Sequence, residues 1–175
     1  LDFAFGTVTP GKEMQVFAEY FPIIHPVLSE YGIQPLGSFM VLATNNPGPV
    51  PGQGALTQVP SPENFAQFHN DSRFLEAKPI RNDAMEFLTD GNFFKSQDVL
   101  VALDAQTDYA LVIAQGNPLD AEPVLSLNHA SNSPKNTYAG KSMTLHPWSK
   151  EAEQLLNGAS NDAEVFRIRF NPANA

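Results

Sequence analysis

Leu56-Thr57-Gln58-Val59-Pro60-Ser61-Pro62-Glu63-Asn64-Phe65-Ala66-Gln67-Phe68-His69-Asn70-Asp71 is echoed by Met143-Thr144-Leu145-His146-Pro147-Trp148-Ser149-Lys150-Glu151-Ala152-Glu153-Gln154-Leu155-Leu156-Asn157-Gly158. The two stretches align at a constant offset without a gap. Thr57/Thr144, Pro60/Pro147, Gln67/Gln154 and Asn70/Asn157 are identical, and Leu56, Phe65 and Phe68 meet Met143, Ala152 and Leu155. Each copy reads as a strand end, a proline turn and a short amphipathic helix. In this alignment Trp148 falls where Ser61 stands. Such a repeat implies a duplicated module, and a duplicated module constrains the fold.

Working outward, Phe3 to Val8 reads as a strand closed by Thr9-Pro10-Gly11. A helix follows from about Lys12 to Tyr31, with Met14, Phe17, Phe21, Ile24, Leu28 and Tyr31 forming one apolar stripe. Pro22 and Pro26 lie inside it. Each deletes a helical donor, so a bend or local opening is expected there. Gly32 fits the stop. Leu36 to Thr44 reads as a strand and 45–53 as a Pro/Gly loop. Gly54 to Val59 is a strand, Pro62 to Asn70 a helix and Pro79 to Leu88 a further helix ending at Gly91. A fourth strand falls within Phe93 to Leu103, around Val99, Leu100 and Val101.

The order strand, helix, strand, strand, helix, strand is the ferredoxin-like order. It recurs in the second half, with strands at Tyr109–Gln115, Val124–His129, Tyr138–Leu145 and Glu164–Phe170 and a helix at Ser149–Asn157. The first helix of this half shrinks to the stretch 117–122. The expected fold is therefore α+β: a ferredoxin-like module over 1–104 and a truncated second one over 105–175, packed sheet to sheet within one chain.

The first module resembles a bacterial domain-of-unknown-function family of the dimeric alpha-beta barrel superfamily, whose relatives include EthD-like, NIPSNAP-like and antibiotic-biosynthesis monooxygenase proteins. The resemblance is carried by His25-Pro26-Val27-Leu28-Ser29-Glu30-Tyr31-Gly32 with Pro35-Leu36-Gly37-Ser38-Phe39. It continues in Phe65-Ala66-Gln67-Phe68-His69-Asn70-Asp71-Ser72-Arg73-Phe74 with Ala77-Lys78-Pro79-Ile80-Arg81. It implies a barrel between two sheets, supplied here by one chain as an internal pseudo-dimer, or by a homodimer. It leaves function open between cofactor-free monooxygenase-like or isomerase-like chemistry and no chemistry at all.

Composition narrows the partners. The net charge is −9 with only ten Lys plus Arg, which argues against nucleic acid and anionic membrane surfaces. There is no cysteine, so disulfides and thiolate chemistry are excluded. Thirteen Phe supply much of the apolar bulk. No apolar run reaches the ~18 residues of a membrane span. The expected location is cytoplasmic; the start at Leu1 rather than Met reads as a trimmed N-terminus.

Four histidines, His25, His69, His129 and His146, lie at no metal-ligand spacing. No metal or cofactor is expected. Gly48 to Gly54 lacks the Lys and Ser/Thr of a phosphate loop, and no nucleophile elbow occurs. His25 borders the apolar stripe of the first helix and is the candidate general base. Tyr20 and His69 are candidate ligand contacts. Arg73 and Arg81 are candidate carboxylate binders, against a plain reading as surface ion pairs.

Two functions remain. In one, the barrel interior encloses a small apolar or aromatic molecule on which His25 or a nearby Tyr performs cofactor-free chemistry, and the pocket is expected between the first helix and its sheet with His25 at the wall. In the other, the protein is a non-catalytic binding or assembly module with a Phe-filled core. A cavity of several hundred Å3 separates the two.

Overall fold

The computed structural model describes residues 1–94, 101–129, 138–158 and 162–172. The strands are β1 (Asp2–Val8), β2 (Gln34–Thr44), β3 (Gln53–Gln58), β4 (Met85–Phe94), β5 (Asp108–Ala114), β6 (Leu125–His129), β7 (Ser142–Pro147) and β8 (Ala163–Pro172). The α-helices are α1 (Phe21–Glu30), α2 (Pro62–His69), α3 (Ser72–Ala84) and α4 (Lys150–Asn157). A π-helical segment, Gln15–Tyr20, leads into α1.

The eight described strands belong to one antiparallel sheet in the order β1-β3-β2-β8-β5-β7-β6-β4, curled until β4 meets β1 and the barrel closes. This corrects the ferredoxin-like, alpha-beta barrel expectation. That fold has a four-stranded sheet with two helices on one face, whereas here no half keeps a sheet of its own. The reason lies in the sheet edges. A free edge leaves a row of unpaired backbone groups. The β2 edge is satisfied by β8, from Gly37↔Pro172 to Thr44↔Phe166. On the far side, β4 meets β6 at Phe93↔His129 and Phe94↔Asn128. The halves are thus joined by main-chain pairing, not by two sheets stacked face to face. The same run of neighbours does occur twice around the barrel, as β4-β1-β3-β2 and β8-β5-β7-β6.

Strand alternation decides what fills the interior. Phe3 and Phe5 of β1, Phe39 of β2, Leu56 of β3 and Leu111 and Ile113 of β5 point inward. Leu125 and Leu127 of β6, Met143 and Leu145 of β7 and Phe166 and Ile168 of β8 join them in one core. The Phe5 and Phe166 rings stack with centroids 4.6 Å apart, linking the two halves across the interior. The barrel is therefore packed with side chains.

Its outer faces differ. On the second half, Ala110, Val112, Ala114, Ala163 and Val165 are buried together with Ala152 of α4, so helix and sheet are in direct contact. On the first half, Val16, Tyr20, Ile24, Val27, Phe65, Phe68, Phe74 and Ala77 pack mainly helix on helix, with Val8, Ile33, Val59 and Ala84 anchoring the layer.

Local chemistry sets the helix ends. Asp71 accepts the Arg73 N–H at 2.9 Å and starts α3. The helix expected from Pro79 therefore begins at Ser72, with Pro79 inside it. It stops at Ala84 because Met85 pairs with Val8 and the chain continues as β4, with Gly91 opposite Phe3. Of the residues expected to centre the fourth strand, Val99 and Leu100 lie outside the described residues, and Val101 is in no strand.

The repeat also shifts by one residue. Ser61 accepts from Asn64 N–H and Ser149 from Ala152 N–H, so the two N-caps lie 88 apart while the gapless alignment places Trp148 opposite Ser61. Gly32, with φ of 67°, follows α1 in the left-handed conformation that favours glycine.

Candidate functional site

A cavity of about 620 Å3 lies between the helices of the first half and the outer face of its sheet. Its floor follows from register. Ala4 pairs with Ala55, Ala55 with Ser38 and Ser38 with Asn171, giving one row of small or polar side chains across four strands. Gly6 opposite Gln53, and Asp2 opposite Thr57, flank that row. All of these residues line the cavity. Ser38 and Ala55 are exposed, which shows that the helices do not reach the floor. In the second half, valine and alanine outer faces meet α4 directly; here methyl groups and a glycine face a gap.

The wall and roof are aromatic. Val16, Phe17 and Tyr20 come from the π-helical segment, and Phe21, Ile24, His25 and Leu28 from α1. Phe65, Phe68, His69, Phe74 and Arg81 come from α2 and α3. The prolines help place these rings. Pro22 and Pro26 cannot donate, and Phe21 N–H reaches back five residues to the Val16 carbonyl, the wide turn of a π-helix. The π-helical segment lies just before Pro22, which falls in the first turn of α1, whereas Pro26 stands inside α1. Val16, Phe17 and Tyr20 of that segment face the cavity.

The ring contacts are continuous. His25 stacks on Phe21 at 5.1 Å and Phe21 lies 5.6 Å from Tyr20. Across the roof, His69 stacks on Phe74 at 4.8 Å and lies 4.4 Å from Phe65. The Arg81 guanidinium sits between the two groups, 5.9 Å from the Tyr20 ring and 5.8 Å from Phe74. Burial pushes the Tyr20 phenol pKa up, while Arg81 pulls it partly back. Tyr20 therefore stays protonated and available as a donor.

Of the residues singled out from sequence, His25, Tyr20, His69 and Arg81 come together on this cavity. Among the described residues no side chain hydrogen-bonds to the His25 imidazole, which is exposed and held by stacking. It is a wall residue without the orienting partner that a general base uses. Arg73 lies elsewhere. Its guanidinium donates to both Glu30 carboxylate oxygens at 2.9 and 2.7 Å and to Asp71, clamping the end of α1 to the start of α3. Arg73 holds the Asp71 carboxyl well below the usual carboxylate range, and Tyr31 donates to the same group.

His129 ends β6, and His146 is buried on β7, away from the cavity. Among the described residues no three His, Asp or Glu gather as a metal ion would require. No described helix is long and apolar enough to cross a membrane.

Sequence reasoning missed the floor and the α2–α3 aromatics. A signal for the floor is present in Phe3-Ala4-Phe5-Gly6. The large residues face the core, so the small ones must face the helices. Comparison with protein-family models, curated proteins and solved structures gives no match.

Proposed function

We propose that the protein binds a small molecule with an apolar ring body in the cavity between the α1–α3 helix layer and the sheet floor. One observation carries this reading. A volume of about 620 Å3 faces small side chains on one side and eight aromatic or imidazole rings, from Phe17 to Phe74, on the other. That volume lies within the ~300–1,000 Å3 of small-molecule sites. Flat rings offer large contact area at low conformational cost, and offset or edge-on ring pairing adds about 0.5–1.5 kcal/mol per pair beyond area burial. The site lies outside the barrel, whose interior is already filled by Phe5, Phe39 and Phe166. The filled core and the unoriented His25 both favour binding over catalysis.

A thermal-shift screen against fused-ring and quinone-like compounds tests this proposal. A hit should raise the melting temperature of the wild type. It should raise that of His25→Ala less, because the substitution removes one ring from the wall. His25 is exposed, so the variant alone should melt within about 2 °C of wild type, as expected for a surface change of ~0.5 kcal/mol. A hit that shifts both proteins equally would remove His25 from the site.

A further inference from the structure

We infer that the molecule bound in this cavity is an anion, whose acidic group lies against Arg81 and whose rings lie over the small-residue floor. The inference rests on the binding reading above and names the ligand class for that site. Among the described residues Arg81 is the one Lys or Arg that lines the cavity. The chain has only ten such residues against nineteen Asp plus Glu, so a cation placed here has had many acidic partners to choose from. Lys12, Arg73, Lys141, Arg167 and Arg169 are all ion-paired to carboxylates. Among the described residues Arg81 meets no carboxylate. Its Nε and a terminal nitrogen donate to the neutral Asn82 Oδ1, at 3.3 and 3.1 Å.

The guanidinium is partly buried between the faces of Tyr20 and Phe74, an arrangement that orients it while leaving donors unused. Tyr20 supplies a protonated hydroxyl on the same wall. A carboxylate, sulfonate or phenolate is the group that a planar fork of donors accepts best.

Placement fixes the orientation of the ligand. Arg81 precedes Ala84 by one turn, and the Ala84 carbonyl accepts the Thr9 N–H at 2.8 Å, which puts Arg81 at the Val8 end of β1. Asp2, the one acidic residue among the described residues of the lining, is six residues away on that strand. At ~3.3 Å per residue this is about 20 Å, so the acidic head and Asp2 occupy opposite ends of the floor.

Two fluorescent probes with the same ring body test this directly: 1-anilinonaphthalene-8-sulfonate and its sulfonate-free analogue N-phenyl-1-naphthylamine. Both are titrated into the intact chain, with mutual displacement used to place them in one cavity. We expect the wild type to prefer the sulfonate by about tenfold. Arg81→Gln should abolish the preference by weakening the sulfonate about tenfold more than the neutral probe, and Arg81→Lys should restore part of it. Equal affinity for both probes in the wild type, or a preference that survives Arg81→Gln, would overturn the anion inference and leave an apolar cavity. Loss of both probes in Arg81→Gln would assign Arg81 to packing and also overturn it. If neither probe binds the wild type, the binding reading fails as well.

Discussion

Gly54→Ala is the sharpest perturbation of the barrel. Gly54 lies on β3 between Phe5 of β1 and Phe39 of β2, and its position faces the interior. A Cβ built there runs into the Phe39 ring and stands 2.7 Å from the Ala4 carbonyl oxygen. Neither neighbour can yield easily. Phe39 is 1% exposed, with ring centroids 5.5 Å from Phe5 and 6.2 Å from Phe3, and the carbonyl belongs to the β1 backbone. In an open strand the change would stabilise by about 0.5–1 kcal/mol, because alanine loses less entropy on folding. Overpacking a core costs typically 1–3 kcal/mol, and a clash with backbone as well as a ring belongs at the upper end. The net expectation is destabilisation by about 2 kcal/mol. At ~2–4 °C per kcal/mol for a chain of this size, the melting temperature should fall by roughly 4–8 °C. Differential scanning calorimetry reads this directly. Adding Phe39→Leu should recover part of the loss, a coupling of about 0.5–2 kcal/mol between neighbours. A neutral or stabilising Gly54→Ala would show that the Phe39 ring does not lie over β3, and the packed interior would have to be redrawn.

Three further outcomes follow from other parts of the chain. His146 is 1% exposed, and burial lowers its pKa from the usual 6.5, with Glu151 and the Ala121 backbone opposing. Below about pH 6.5 the unfolded chain binds more protons than the folded one at this site, so its contribution is complete above that pH and is lost as pH falls. Burial lowers His129 in the same direction. The wild-type melting temperature should therefore drop between about pH 7.5 and about pH 5.5, and drop less in His146→Leu; an unchanged slope would mean that His146 is protonated when folded. Ser149→Ala removes the oxygen that accepts the Ala152 N–H at 3.1 Å and should cost about 1 kcal/mol, read as a urea midpoint shift with no change in slope. Arg73→Gln breaks the bridge to Glu30 and should lower the melting temperature while leaving the affinity of any cavity ligand unchanged, because Arg73 does not line the cavity.

Periodicity was enough to place most elements. The alternation in Phe3-Ala4-Phe5-Gly6 marks β1, and the spacing of Phe21, Ile24 and Leu28 marks α1, while Met14 and Phe17 of the expected stripe are exposed and Val16 and Tyr20 are buried instead. Two features were not legible. Pairing of β2 with β8 depends on backbone edges some 130 residues apart, and side-chain pattern carries no record of which edge meets which. The end of α3 at Ala84 was hidden because Phe87 and Leu88 continue an apolar helical spacing, which the β1 edge overrides by pairing with the chain from Met85 onward. The site was half visible. His25 and Arg81 stand out as uncommon residue types on a helix face. The floor of Ala4, Ala55 and Ser38 becomes a feature only when register sets these small residues side by side.

The central claim is that the space above this floor takes up a ligand. Amide chemical-shift mapping during titration with N-phenyl-1-naphthylamine tests it most directly, in the wild type and in Ala55→Trp, whose indole would fill the gap from below. The account predicts saturable shifts grouped on Ala4, Gly6, Ala55 and the helix from Phe21 to Leu28, and their loss in Ala55→Trp with the rest of the spectrum preserved. Shifts grouped on the interior strands around Leu111 and Ile168, or unchanged binding in Ala55→Trp, would contradict it.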